Sequence, residues 1–124
     1  WVYDSREFPT RAGGNVYWHG ARPGKAEADA LVAAEWNPSV RLLEASGRWV
    51  LQLDVPGTLG QAATVPVTTE LLGKARIPGL EYVNADGSPL RIDTDYSGTR
   101  RSRTRPTAGP FEGLSGGSAR VRVR

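Results

Sequence analysis

The most regular alternation in the chain lies at residues 40–55, VRLLEASGRWVLQLDV. Trp49, Leu51, Leu53 and Val55 alternate with Arg48, Val50, Gln52 and Asp54, the two-residue period of a strand with one face buried. A second apolar run precedes Ser46-Gly47, so the pattern predicts an antiparallel hairpin (40–55) turning at those two residues. Burying Trp49, Leu51 and Leu53 would contribute roughly 1.5–3 kcal/mol for each large apolar side chain. Pro56-Gly57 ends the unit.

Elsewhere the pattern is shorter-ranged. Residues 1–14 start with alternating apolar and polar positions and finish in Gly13-Gly14, which predicts a strand or extended arm and then a turn. If residues 15–20, NVYWHG, are extended, Val16 and Trp18 share one face and Tyr17 and His19 the other. Residues 25–36, KAEADALVAAEW, are rich in Ala, Glu and Leu, with Ala28, Leu31, Val32 and Trp36 at helical spacings, so a short helix is predicted there. Asn37-Pro38 would stop it, because the residue before a proline is driven out of the helical region. Val65, Val67, Leu71, Leu72, Ile77 and Leu80 fit neither period, which suggests short strands around a helical turn at Thr69 to Gly73 with a threonine cap. From 84 to 118 turn formers dominate, with Ile92, Tyr96, Pro110 and Phe111 as apolar pins: a long ordered wrap. ARVRVR at 119–124 alternates again and predicts a terminal edge strand with both valines inward. No internal sequence repeat is visible.

Composition narrows the class. A chain of 124 residues with 15 Gly, 9 Pro, 39% hydrophobic and 23% charged residues is one turn-rich domain or fragment with a small core. It has no Cys, so neither a disulfide framework nor a thiolate metal site can form. It has no Met either and begins with Trp1, which leads to the expectation that an upstream polypeptide of the same precursor once preceded it. No apolar run is long enough for a membrane helix. The charge is uneven: residues 1–90 carry 8 basic and 10 acidic side chains, whereas residues 91–124 carry 8 Arg against Asp93, Asp95 and Glu112. A nucleic-acid partner is disfavoured, because the Arg100–Arg105 cluster lacks interleaved aromatics and any recognised motif.

Three sets of residues bear on chemistry. Asp93, Asp95, Ser97 and Gly98 occupy positions one, three, five and six of an EF-hand-like loop, but position twelve is Thr104 and Arg100, Arg101 and Arg103 crowd the same stretch. Calcium at Asp93 and Asp95 is therefore the lesser reading, and no cofactor is expected. The favoured alternative has Asp93 accepting backbone N–H bonds across a turn and Asp95 pairing with an arginine. His19 is the sole histidine, which excludes a multi-histidine zinc site. Tyr17, Trp18 and His19 are instead candidate substrate-binding residues, aromatic rings covering the apolar face of a sugar while polar edges hold its hydroxyls. Glycoside hydrolysis would need two convergent carboxyl groups, and 13 acids without a pattern nominate none.

The segment DGSPLRIDTDYSGTRRSRTRPTAGPFE resembles the closing segment of secreted bacterial right-handed parallel β-helix proteins of the pectate-lyase-like class. Ser88, Pro89, Ile92 and Asp93 match its Ser-Pro-x-Ile-Asp step. Asp95, Gly98 and Arg101 match its Asp-x-x-Gly-x-x-Arg step, and Gly109, Phe111 and Glu112 its Gly-x-Tyr-Glu step, with Phe for Tyr. GGNVYW at 13–18 is similar to the Asn-x-aromatic end of one coil. The resemblance implies a mainly β chain forming the C-terminal coil or cap of a right-handed parallel β-helix; the short helix at 25–36 and the hairpin (40–55) depart from that pattern, as do the short length and the lack of upstream coils. It also implies a secreted, carbohydrate-active protein, a polysaccharide lyase or glycoside hydrolase whose catalytic residues lie mostly in another stretch of polypeptide. Two rival readings are a free-standing β-sandwich module that binds carbohydrate and a structural subunit of an extracellular assembly.

Overall fold

The computed structural model describes residues 11–123; the expected arm at 1–14 lies, as far as residue 10, outside the described residues. The chain is mainly β. In order come β1 (Ala12–Gly13), β2 (Val16–Trp18), β3 (Glu27–Ala28), β4 (Leu31–Ala33), β5 (Arg41–Ala45), β6 (Arg48–Val55), a 3-10 turn (Leu59–Gln61), α1 (Thr69–Leu72) and β7 (Gly117–Val123).

The helix expected at 25–36 is not formed. That stretch supplies β3 and β4, which pair in parallel with β1 and β2: Ala12 lies opposite Glu27, and Val16, Tyr17 and Trp18 lie opposite Leu31, Val32 and Ala33. Helix propensity is a weak prior, and here tertiary pairing overrides it. Asp29, in the middle of the window, adopts φ 55°, which no helix tolerates. Partners in both ladders are 15 positions apart, and so are the residues that turn the two corners, Gly14 (φ 68°) and Asp29. Two successive bends of the chain are thus stacked. The sequences of the two bends, AGGNVYW and EADALVA, share almost nothing, which hid the repetition. A full parallel β-helix is not formed by the described residues; they contain these two short ladders.

Gly14 fixes how the stacked corner meets the rest of the chain. It is buried, and a Cβ placed there would stand 2.6 Å from the carbonyl oxygen of Ala63. The corner therefore abuts the loop that follows the 3-10 turn, next in sequence to the buried Ala62.

The hairpin forms as its alternation predicts, with Leu42 opposite Leu51 and Ala45 opposite Arg48. Ser46 and Gly47 both have positive φ, 53° and 72°, the two-residue turn whose twist matches that of the strands. β7 adds antiparallel to β6, with Val121 opposite Leu51 and Val123 opposite Trp49, and β5 and β7 form the two edges. The expected burial of one whole β6 face is only graded. Val55 is fully buried and Leu51 and Leu53 half-buried, but Trp49 remains 49% exposed. The reason is positional: the 3-10 turn, with buried Leu59, follows directly on the Val55 end, and Trp49 lies at the opposite end of the strand.

α1 is capped by Thr68, whose hydroxyl oxygen accepts from the Leu71 amide at 3.2 Å. Thr69 instead donates from Oγ1 to the Tyr82 carbonyl at 2.6 Å and accepts from the Leu90 amide at 2.7 Å. It thereby fastens α1 to the following loop. Beyond α1 the chain runs to β7 through single bridges such as Thr68–Arg91 and Thr94–Arg100, held mostly by side chains bonding to backbone.

Candidate functional site

The stretch that resembled a closing segment folds as an interlocked scaffold. Asp95 Oδ1 accepts from the amides of Ser97 and Thr99, both at 2.8 Å, and its Oδ2 accepts from the Glu112 amide at 2.8 Å. These bonds, the one from Glu112 first, hold the Asp95 carboxyl below its usual range against an opposing desolvation, with Arg101 adding attraction. The Arg101 guanidinium donates to the carbonyls of Thr94, Thr107 and Gly109 and to Glu112 Oε2. Glu112 also accepts from the amides of Ser102 and Thr107. Phe111 is buried and meets Tyr96 edge-on, ring centroids 5.9 Å apart.

The aspartate roles are therefore the reverse of those expected. Asp95 caps the turn, and Asp93 pairs with an arginine, Arg100, at 3.0 Å. The extra turn-forming amides follow Asp95 rather than Asp93, since Gly98 (φ 83°) reverses the chain there. Asp95 has its oxygens engaged by amide N–H groups, and among the described residues no three His, Cys, Asp or Glu side chains gather as metal ligands.

The trio Tyr17, Trp18 and His19 is divided by the strand. Trp18 shares the inward face with Val16, and its indole N–H is buried without a hydrogen-bond partner among the described residues. Tyr17 lies on the opposite face and donates its hydroxyl to Glu27 Oε2 at 3.2 Å. Asn15 donates its side-chain amide to both Glu27 oxygens, at 3.0 and 2.9 Å, and its backbone N–H to Oε1 at 3.2 Å. Glu27 thus ties one stacked bend to the next. Desolvation, followed by the bond to Glu27 and its charge, raises the Tyr17 pKa. His19 is exposed, at φ 52°.

Beside His19 the chain forms an open groove of about 580 Å³, lined by Ala33–Trp36, Pro56–Thr58 and Gln61. The His19 amide donates to the Trp36 carbonyl and the Gly20 amide to that of Ala34, each at 2.9 Å, so the turn after β2 braces the groove wall. The Trp36 indole N–H donates to the Asp54 carbonyl at 3.1 Å, fixing the ring while leaving it half-exposed. Glu35, Thr58 and Gln61 surround it with exposed polar groups. An oriented indole flanked by a carboxylate, a hydroxyl and an amide suits a ligand with an apolar face and a polar rim. A second cleft, of about 560 Å³, lies between the Gly13–Asn15 corner and the loops at 63–72 and 106–109, with Arg11 and Asp29 at its edge.

A solved structure shares this architecture. It is described as the complex structure of XylC with xylose, and it matches with a TM-score of 0.82 and 28% identity. The match covers 90% of this chain and 17% of that chain, so the present sequence spans about a sixth of that protein's length. No family model and no curated protein matches.

Trp36 and Glu27 were not singled out from sequence as site residues, and Asn15 entered only as the first residue of the Asn-x-aromatic step. Trp36 fitted the apolar stripe of a helix, and Glu27 its solvated side. Asn15 gave a signal that could be used, since an asparagine straight after a left-handed glycine sits where its amide can bond to the neighbouring bend.

Proposed function

We propose that this chain is the part of a secreted polysaccharide-active protein that closes a stack of parallel strands and contributes contacts to the glycan. The observation that carries this reading is the likeness, over nine-tenths of the chain, to a protein solved with xylose bound. Two stacked bends with a constant offset of 15 positions support a place at the end of a longer stack. The apolar side chains left uncovered, among them Val32, Leu42, Trp49 and Val65, support packing against further polypeptide of the same precursor. In this reading the scaffold around Asp95, Arg101 and Glu112 is the closing element, and the reaction, glycoside hydrolysis or lysis, is carried out by residues mostly outside these 124. Glycan contacts fall on Trp36, with Tyr17 and His19 on the adjoining bend.

Retention of the chain on insoluble xylan, with free xylo-oligosaccharide as competitor, tests the reading. Trp36→Ala should abolish retention, and Trp49→Ala should leave it unchanged. A chain that passes through unretarded, or one whose retention depends on Trp49, contradicts it.

A further inference from the structure

The three-stranded sheet has two chemically distinct faces. Registers place Leu42, Trp49, Leu51, Leu53, Val121 and Val123 on one side, with Glu44 opposite Trp49 as its charged residue. The other side carries Arg41, Arg48, Arg120 and Arg122, with Gln52 between Arg41 and Arg120 in one row and Leu43 and Val50 beside Arg122 in the next. All four arginines are exposed. Arg120 donates to Gln52 Oε1 at 3.3 Å, and none of the four meets a carboxylate among the described residues. The sole acid on this face is Asp54, half-buried at the far end of β6. With strands about 4.8 Å apart and same-face neighbours about 7 Å apart along a strand, the guanidinium groups form a grid of unneutralised charge.

We infer that this face binds carboxylate groups on a glycan, specifically uronate substituents carried by an otherwise neutral backbone. Guanidinium groups fork onto carboxylates, and Leu43 and Val50 offer an apolar floor for a sugar ring. The row Arg41–Gln52–Arg120 lies one rung from Asp54, whose carbonyl holds the Trp36 indole. A backbone seated on Trp36 thus lies beside the strand that carries this face. The inference rests on the polysaccharide reading for its choice of polymer. Arginines placed only to keep edge strands from aggregating would show no preference for a carboxylate-bearing ligand.

The test is affinity electrophoresis of the full chain in glucuronoxylan and in the same polymer after its carboxyl groups are reduced to alcohols. At low salt the native polymer should bind about tenfold tighter than the reduced one, as expected for a few exposed ion pairs. The difference should vanish near 1 M salt and in the triple variant Arg41→Ser, Arg120→Ser, Arg122→Ser. Removing the same charge elsewhere, by Arg22→Ser, Lys25→Ser and Arg103→Ser, should preserve it, and circular dichroism checks that each variant is folded. Equal affinity for both polymers overturns this inference alone, and binding to neither overturns the polysaccharide reading as well. An equal loss in the control variant, or tighter binding to a single-stranded oligonucleotide of matching length, also rejects it.

Discussion

Arg101 is the side chain on which most of the closing scaffold depends. Its guanidinium reaches three carbonyls and Glu112, and both partners of that ion pair are mostly buried, with side chains 14% and 13% exposed. Removing one partner of such a pair leaves the other uncompensated. Arg101→Ala should therefore lower stability by about 3–5 kcal/mol in chemical denaturation, and Arg101→Lys should recover only part, because a point charge cannot replace the fork. Asp95 gives the same scaffold a pH signature. Its pKa is depressed in the folded chain, so its stabilising effect is full above the unfolded value, about 3.9, and is lost as pH falls through the folded value. Asp95→Asn should weaken the fold at neutral pH and flatten the acid limb of a thermal-stability profile; an unchanged limb would assign acid unfolding to other carboxylates. At Gly14 the conflict is steric. A methyl group 2.6 Å from the Ala63 oxygen, at a φ that also disfavours side chains, should make Gly14→Ala cost about 2–3 kcal/mol or more, measurable as a fall in melting temperature.

Among the elements, the hairpin and the helix window show where sequence reasoning succeeds and where it does not. The hairpin was legible because its information is local: alternation sets the faces and Ser46-Gly47 sets the turn. Since Ser46 sits at φ 53°, Ser46→Asn should stabilise by a few tenths of a kcal/mol or more, asparagine being at ease in that region. A decrease would mean that the turn is not of the type described. Residues 25–36 were misread because their decisive interactions are non-local. Parallel pairing with a bend 15 positions earlier, and the clasp of Asn15 and Tyr17 on Glu27, leave no periodic trace in the residues themselves. The trio 17–19 was half legible. Alternation separated Trp18 from its neighbours, but only the fold shows that Trp18 turns inward and that the more accessible groove is built around Trp36.

Across the whole molecule, the described residues leave many large apolar side chains exposed. Much of this apolar surface is the uncovered sheet face and the loop residues Ile77, Leu80 and Tyr82. Exposed apolar surface of this kind favours association, so the chain by itself should bind a hydrophobic dye or self-associate. Replacing Leu42 and Trp49 with serine should reduce that behaviour while leaving the Arg101 scaffold folded. The central claim is narrower, that a glycan rests on the indole of Trp36. The most direct measurement is a nuclear magnetic resonance titration of the chain with xylotetraose, following indole and backbone N–H signals. The account expects the Trp36 indole and the amides of 34–36 and 57–61 to shift together, with the Trp49 indole still. Shifts confined to other regions, or none at saturating ligand, would contradict it.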